Sequence, residues 1–147
     1  MKKTLLTLAL GMTLNAQAQY HGYHEQPMVE FDQKSLTSVE ILEAIEIQPG
    51  TKSTQISGFD RTNDKCLLVH DELEETQIIE TGQEFAVTAN WVSVDMSISY
   101  GYTGAATMRI DGPEYVKLIT CDIAVAWGDP LTKENVEHQL DGVIQIN

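Results

Sequence analysis

Residues 115–127, YVKLITCDIAVAW, carry the clearest alternation in the chain. Tyr115, Ile119, Cys121, Ile123, Val125 and Trp127 fall on one side of a period-2 pattern. Only Lys117 interrupts that side, near the start, where an ammonium reaches water. The other side, Val116, Leu118, Thr120, Asp122, Ala124 and Ala126, is half apolar. Such a strand needs a core on one face and partial cover on the other, so it is expected at the centre of a sheet.

The pattern predicts further strands on both sides of it. Within residues 36–47, Val39, Ile41, Ile45 and Ile47 alternate, with Glu43 out of phase. Leu36, Val39, Leu42 and Ile45 also suit a helical stripe. β-Branched residues dominate, however, and Pro49-Gly50 follows as a turn, so a strand is predicted. Residues 51–59 (TKSTQISGF) are its expected hairpin partner. A polar loop at 60–65 precedes a short strand at 65–71 (KCLLVHD), and 72–75 is an acidic turn. Residues 76–81 and 83–91, on either side of Gly82, predict a second hairpin in which Phe85, Val87, Ala89 and Trp91 alternate. The apolar phase then slips by one, to Val92, Val94, Met96, Ile98 and Tyr100, as a bulge or tight bend produces.

Residues 101–104 are expected to form a loop, 105–111 a strand, and Gly112-Pro113 the turn into the central strand. One helix is predicted, over 132–140. Thr132 is its N-cap, Glu134 and Glu137 favour its positive end, and Gly142 suits the position after its C-cap. Val136, Leu140 and the preceding Leu131 are the residues that would dock it on the sheet. Residues 143–146 predict a last short strand. The fold class is therefore mainly β: an antiparallel sandwich or a partly open barrel with one short C-terminal helix.

The N-terminus changes the picture. Lys2 and Lys3, a short apolar run at 5–14 and Ala16-Gln17-Ala18 form the pattern of a secretory signal over residues 1–18. The apolar run is too short for a stable bilayer span. Residues 19–34 are then a polar lead-in, expected to be flexible, and 35–147 a single β-rich domain. Export places the chain in the periplasm or outside the cell. It also takes Cys66 and Cys121 into an oxidising compartment. They are the only two cysteines and form no C-x-x-C, so a structural disulfide closing a 55-residue loop is expected.

The whole chain has 9 basic against 22 acidic residues, net −13, and loss of two signal lysines takes that to −15. Phosphate backbones and anionic membrane surfaces are repelled by such a chain, which makes nucleic acid a poor partner.

Candidate chemistry is sparse. His70-Asp71-Glu72 with Glu74-Glu75, and the Asp60, Asn63, Asp64 loop, lack the spacing of a Ca²⁺ loop, and a solvated acidic turn explains them. No G-x-S-x-G or free thiol supports nucleophilic catalysis, and no two carboxylates stand out for glycoside hydrolysis. Trp91 and Trp127 lie on apolar strand faces and are expected in the core. Tyr100 and Tyr102 flank Gly101 in the expected loop and are the candidate ligand contacts.

Cleavage after Ala18 would start the mature chain Gln19-Tyr20-His21. A free amine, two amides and the His21 imidazole can wrap Cu²⁺ or Ni²⁺ in a square plane, with His24 and Glu25 close enough to assist. Cyclisation of Gln19 would abolish that site. No other cofactor is implied.

The order of strand, Pro-Gly turn, strand, Cys strand, IIETGQEFAVT, VKLITC and LTKENVEHQLDGVIQI resembles a group of small exported proteobacterial proteins of unknown function. The resemblance spans most of residues 36–146. It implies the topology and the paired cysteines, and no activity. The expected function is an exported, non-enzymatic binding or envelope-associated protein acting on an unidentified protein or small ligand. The alternatives are a secreted hydrolase or inhibitor working through the loop around Tyr100, and an N-terminal Cu/Ni binder.

Overall fold

Alternation over residues 84–126 builds three long antiparallel strands, and the rest of the fold is arranged on them. The structure, a computed structural model, describes residues 28–30, 36–57, 64–95 and 101–147. In chain order the elements are β1 (Met28–Glu30), β2 (Ser38–Ile41), β3 (Ile45–Ile47), β4 (Ser53–Ser57), β5 (Lys65–His70), β6 (Gln77–Ile79), β7 (Glu84–Asp95), β8 (Gly101–Asp111), β9 (Val116–Ala126), β10 (Pro130–Thr132), helix α1 (Lys133–Leu140) and β11 (Ile144–Ile146). Seven strands form one sheet in the order β11-β2-β7-β8-β9-β5-β4. Every neighbouring pair is antiparallel. The sheet curls into a half-barrel, so of the two architectures open in the sequence it is the partly open barrel that forms.

The register explains the core. Met108 faces Ile119, Ala106 faces Cys121, Gly104 faces Ile123 and Tyr102 faces Val125. Cys66 and Leu68 continue the same rows into β5. All of these non-glycine side chains are buried and line the concave face. Helix α1 lies inside the curl and reaches both edge strands, β4 and β11, as well as β5 and β9. Val136 and Leu140 bury its inner side completely. Its start is fixed by a capping box: the Thr132 hydroxyl accepts from the Asn135 amide, and the Asn135 side chain accepts from the Thr132 amide. Gly142, at φ 78°, turns the chain into β11.

Six expectations are corrected. The predicted strand at 36–47 is two strands, β2 and β3, separated by a bend that leaves Glu43 exposed. Glu43 breaks the apolar series, and that is where the backbone turns out of the large sheet. Residues 51–59 are not its hairpin partner: β4 pairs with β5, and β3 pairs with β6. Likewise β6 and β7 do not pair with each other around Gly82. They run antiparallel to β3 and β2 in turn, so one two-stranded ribbon turns a corner. At that corner the Gly82 amide donates to the Ile41 carbonyl.

The phase slip of β7 lies earlier than expected, between Val87 and Ala89 rather than after Trp91. One extra residue there exchanges the two faces of everything downstream. Trp91 therefore stands on the convex face, 37% exposed, instead of in the core. Finally, residues 101–104 are strand, not loop. Glycines at these positions permit close packing: a Cβ on Gly101 would overlap the Val125 carbonyl oxygen, and one on Gly104 would strike Leu131 Cδ2.

Within the expected flexible lead-in, β1 pairs in parallel with β10, from Met28↔Pro130 to Glu30↔Thr132. Backbone pairing at 28–30 is thus set by contacts remote in sequence.

Candidate functional site

The disulfide is formed. Cys66 and Cys121 are directly opposed on β5 and β9, with Cα atoms 4.0 Å apart, well short of the roughly 7 Å beyond which a bridge cannot close. Both are fully buried, so the bond is a structural tie at the centre of the concave face.

Tyr102 is not a surface contact. It lies on β8 with no exposed area, its ring 5.9 Å from that of Trp127, and its hydroxyl donates to the Asp129 carbonyl at 2.9 Å. Strand pairing with Val125 turns the side chain inward, which the loop reading of its glycine neighbours concealed. Trp127 is half-buried against the core as expected. Tyr100 lies outside the described residues, as do His21, His24 and Glu25 of the N-terminal copper pattern.

The acidic turn after β5 separates its carboxylates. His70 points inward and is buried. Its Nδ1 lies 2.8 Å from the Asp71 carbonyl, which can only accept, so Nδ1 carries the proton. Its Nε2 is 3.0 Å from the Thr54 hydroxyl, which can then donate to it. His70 is therefore a satisfied core histidine. Asp71 pairs with Lys117 at 2.8 Å, and Glu72 approaches Lys52 at 3.9 Å, both on the surface. Among the described residues no three His, Cys, Asp or Glu side chains converge as metal ligands do.

Asp64 was expected in a solvated acidic loop, and it is tied in instead. One carboxylate oxygen accepts from the Ala124 amide at 2.7 Å and the other from Gln139 Nε2 at 3.3 Å. It joins the end of β9 to α1. Its partners lie 60 and 75 residues away, so no local signal could have found them.

Two shallow grooves flank the helix side of the half-barrel. One, about 210 Å³, lies between β3 and β4 and is lined by Glu43, Glu46, Thr54 and Ile56. The other, about 170 Å³, lies between α1 and β11, with Leu42, Glu137, Asp141 and Gln145 on its walls. Sites for small molecules usually enclose roughly 300–1,000 Å³. The concave face, where a barrel would hold a ligand, is filled by Leu131, Val136, Leu140 and Tyr102. Sequence reasoning missed Glu137 and Asp141 as a pair. Their i, i+4 spacing was a visible signal that both share one helix side.

No family model, curated protein or solved structure matches this chain. The layout resemblance to small exported proteins therefore gains no support from these comparisons. Among the described residues no helix is long and apolar enough to cross a membrane.

Proposed function

We propose that this chain is an exported, non-enzymatic protein that binds a macromolecular partner on its outer surface. The observation that carries this reading is the filled interior. Helix α1 and Leu131 occupy the concave face, and the two grooves on the helix side are shallow. A small ligand on the concave face would have to displace the core side chains described there, whereas a protein partner needs only surface. The Cys66–Cys121 bridge suits an oxidising compartment and supports the exported half of the proposal.

Export is tested by mass spectrometry of the chain recovered from cells, with Gln19 as the expected first residue and no free thiol. The binding mode is tested by thermal melts against a panel of small metabolites, set beside crosslinking in the exported fraction. The expected result is no change in Tm with any metabolite and one reproducible crosslinked protein. A metabolite that raises Tm by several degrees in a concentration-dependent way overturns the reading, because only a ligand of the folded state does so.

A further inference from the structure

Strands β7, β8, β9 and β5 stand side by side in the large sheet. One row of side chains crosses all four: Trp91 opposite Thr107, Thr107 opposite Thr120, and Thr120 opposite Leu67. The row next to it holds Ala106, Cys121 and Cys66, all buried on the concave side, so alternation puts Trp91 to Leu67 on the convex side. Trp91 and Leu67 are the large apolar ends of that row, the first exposed and the second half-buried. The two small residues between them already satisfy each other, since their hydroxyl oxygens lie 3.0 Å apart. Covering this row therefore strips no hydroxyl of its partner.

Charge sets the face apart. In the adjoining convex row Ser93 stands opposite Ala105, Ala105 opposite Asp122, and Asp122 opposite Lys65. On the other side lie Ala89 opposite Arg109, and Leu118 opposite Val69. Across these three rows the ionisable residues are Lys65, Arg109 and Asp122, two positive and one negative, on a chain of net −13. Two copies repel wherever their acids meet, and this face holds almost none of them.

We infer that the convex face of β7, β8, β9 and β5 is a self-association surface that seats the same face of a second copy of this chain. The inference rests on the function proposed above and names its partner. A two-fold axis running along the strands, between Thr107 and Thr120, makes the face self-complementary. It lays Leu67 of the second copy over Trp91, and Lys65 of the second copy over Ser93. No charged side chain then meets one of its own sign. The face measures roughly 20 by 25 Å, about 500 Å² a side, at the low end for a specific interface, so the dimer exchanges with monomer.

Sedimentation equilibrium of the mature, disulfide-bonded chain tests this, over protein concentrations from about 10 μM to 1 mM. A reversible monomer–dimer equilibrium is expected, tightening at least about ten-fold from roughly 20 to 500 mM NaCl as the net charge is screened. On dilution, resonances of β7, β8, β9 and β5 should shift while those of β11 stay in place. Trp91→Lys should weaken the dimer by at least about ten-fold, because each copy contributes that contact once. Ser93 is exposed, so its variants leave the core alone and test the orientation. Ser93→Glu, facing Lys65 of the second copy, should tighten the dimer several-fold at high salt, and Ser93→Lys should weaken it. A monomer at every concentration and salt overturns the inference, as does a dimer that loosens with salt. Equal effects of the two Ser93 variants, or dilution shifts centred elsewhere, overturn it too. A different protein crosslinked to a monomeric chain sinks this inference and leaves the proposed function intact, so the two fail separately.

Discussion

The β8-β9-β5 centre and the β2-β11 margin are built from the same kinds of residue and are held in different ways. At the centre each strand has a neighbour on both sides, the inward rows run unbroken from Met108 to Tyr102, and a disulfide crosses the middle row. At the margin β11 has three residues, one strand neighbour among the described residues, and a helix that reaches across to it. Interior strands satisfy their backbone through the ladder. A terminal strand depends on side-chain burial to stay in place and keeps backbone groups to spare. Stability should therefore concentrate at the centre and adaptability at the margin.

The largest effect should come from breaking the centre. Replacing Cys66 and Cys121 together by alanine is expected to cost about 4 kcal/mol, from the 55-residue loop released in the unfolded chain. Urea melts of the variant measure it, and an unchanged midpoint would mean the centre is no stronger than the margin. Truncating Leu140→Ala removes the buried end of the helix against both edges, with an expected loss of about 3 kcal/mol. Its effect on exchange should be greatest in β11 and β4. If β8 and β9 respond first, the comparison is reversed.

Asp64→Ala severs the link between β9 and α1, leaving the Ala124 amide without its acceptor. A cost of about 2 kcal/mol is expected, readable as a lower Tm and faster exchange at Ala124. Tyr102→Phe keeps the ring beside Trp127 and deletes the donation to the Asp129 carbonyl. It should cost about 1 kcal/mol in the same melts. The smallest effect lies at the helix start. A hydrogen bond from its own backbone amide, then one with the Thr132 side chain, hold the Glu134 carboxyl below the usual glutamate range. Because the folded value is the lower one, the stabilisation is present above the unfolded carboxylate value and fades as pH falls through the folded one. Glu134→Gln should narrow the Tm difference between pH 7 and pH 3 slightly. A wider difference would show the sign to be wrong.

Part of this was legible in the residue order and part was not. Period-2 alternation in 115–127, the Thr132 cap, Gly142 and the two cysteines each act through neighbours in the chain or through a count, so β9, α1 and the disulfide follow from the sequence. Cys66 and Cys121 needed only a shared compartment and a facing strand. The face on which Trp91 lies could not be read that way, because a bulge at Val87–Ala89 is decided by pairing with β8. Tyr102 was misplaced for the reverse reason. Its flanking glycines look like loop signals locally, yet they exist to let Val125 and Leu131 approach.

By itself, then, the sequence determined a mainly β chain, its central strand, its helix and its covalent tie, since periodicity, capping and cysteine count are local or additive properties. Tertiary structure alone decided that β3 and β4 take different partners, that Asp64 joins β9 to the helix, and that β11 pairs with β2. Those outcomes depend on which strands meet across tens of residues. The backbone of a strand offers identical donors and acceptors to any neighbour, so the choice falls to the packing of the whole sheet around α1.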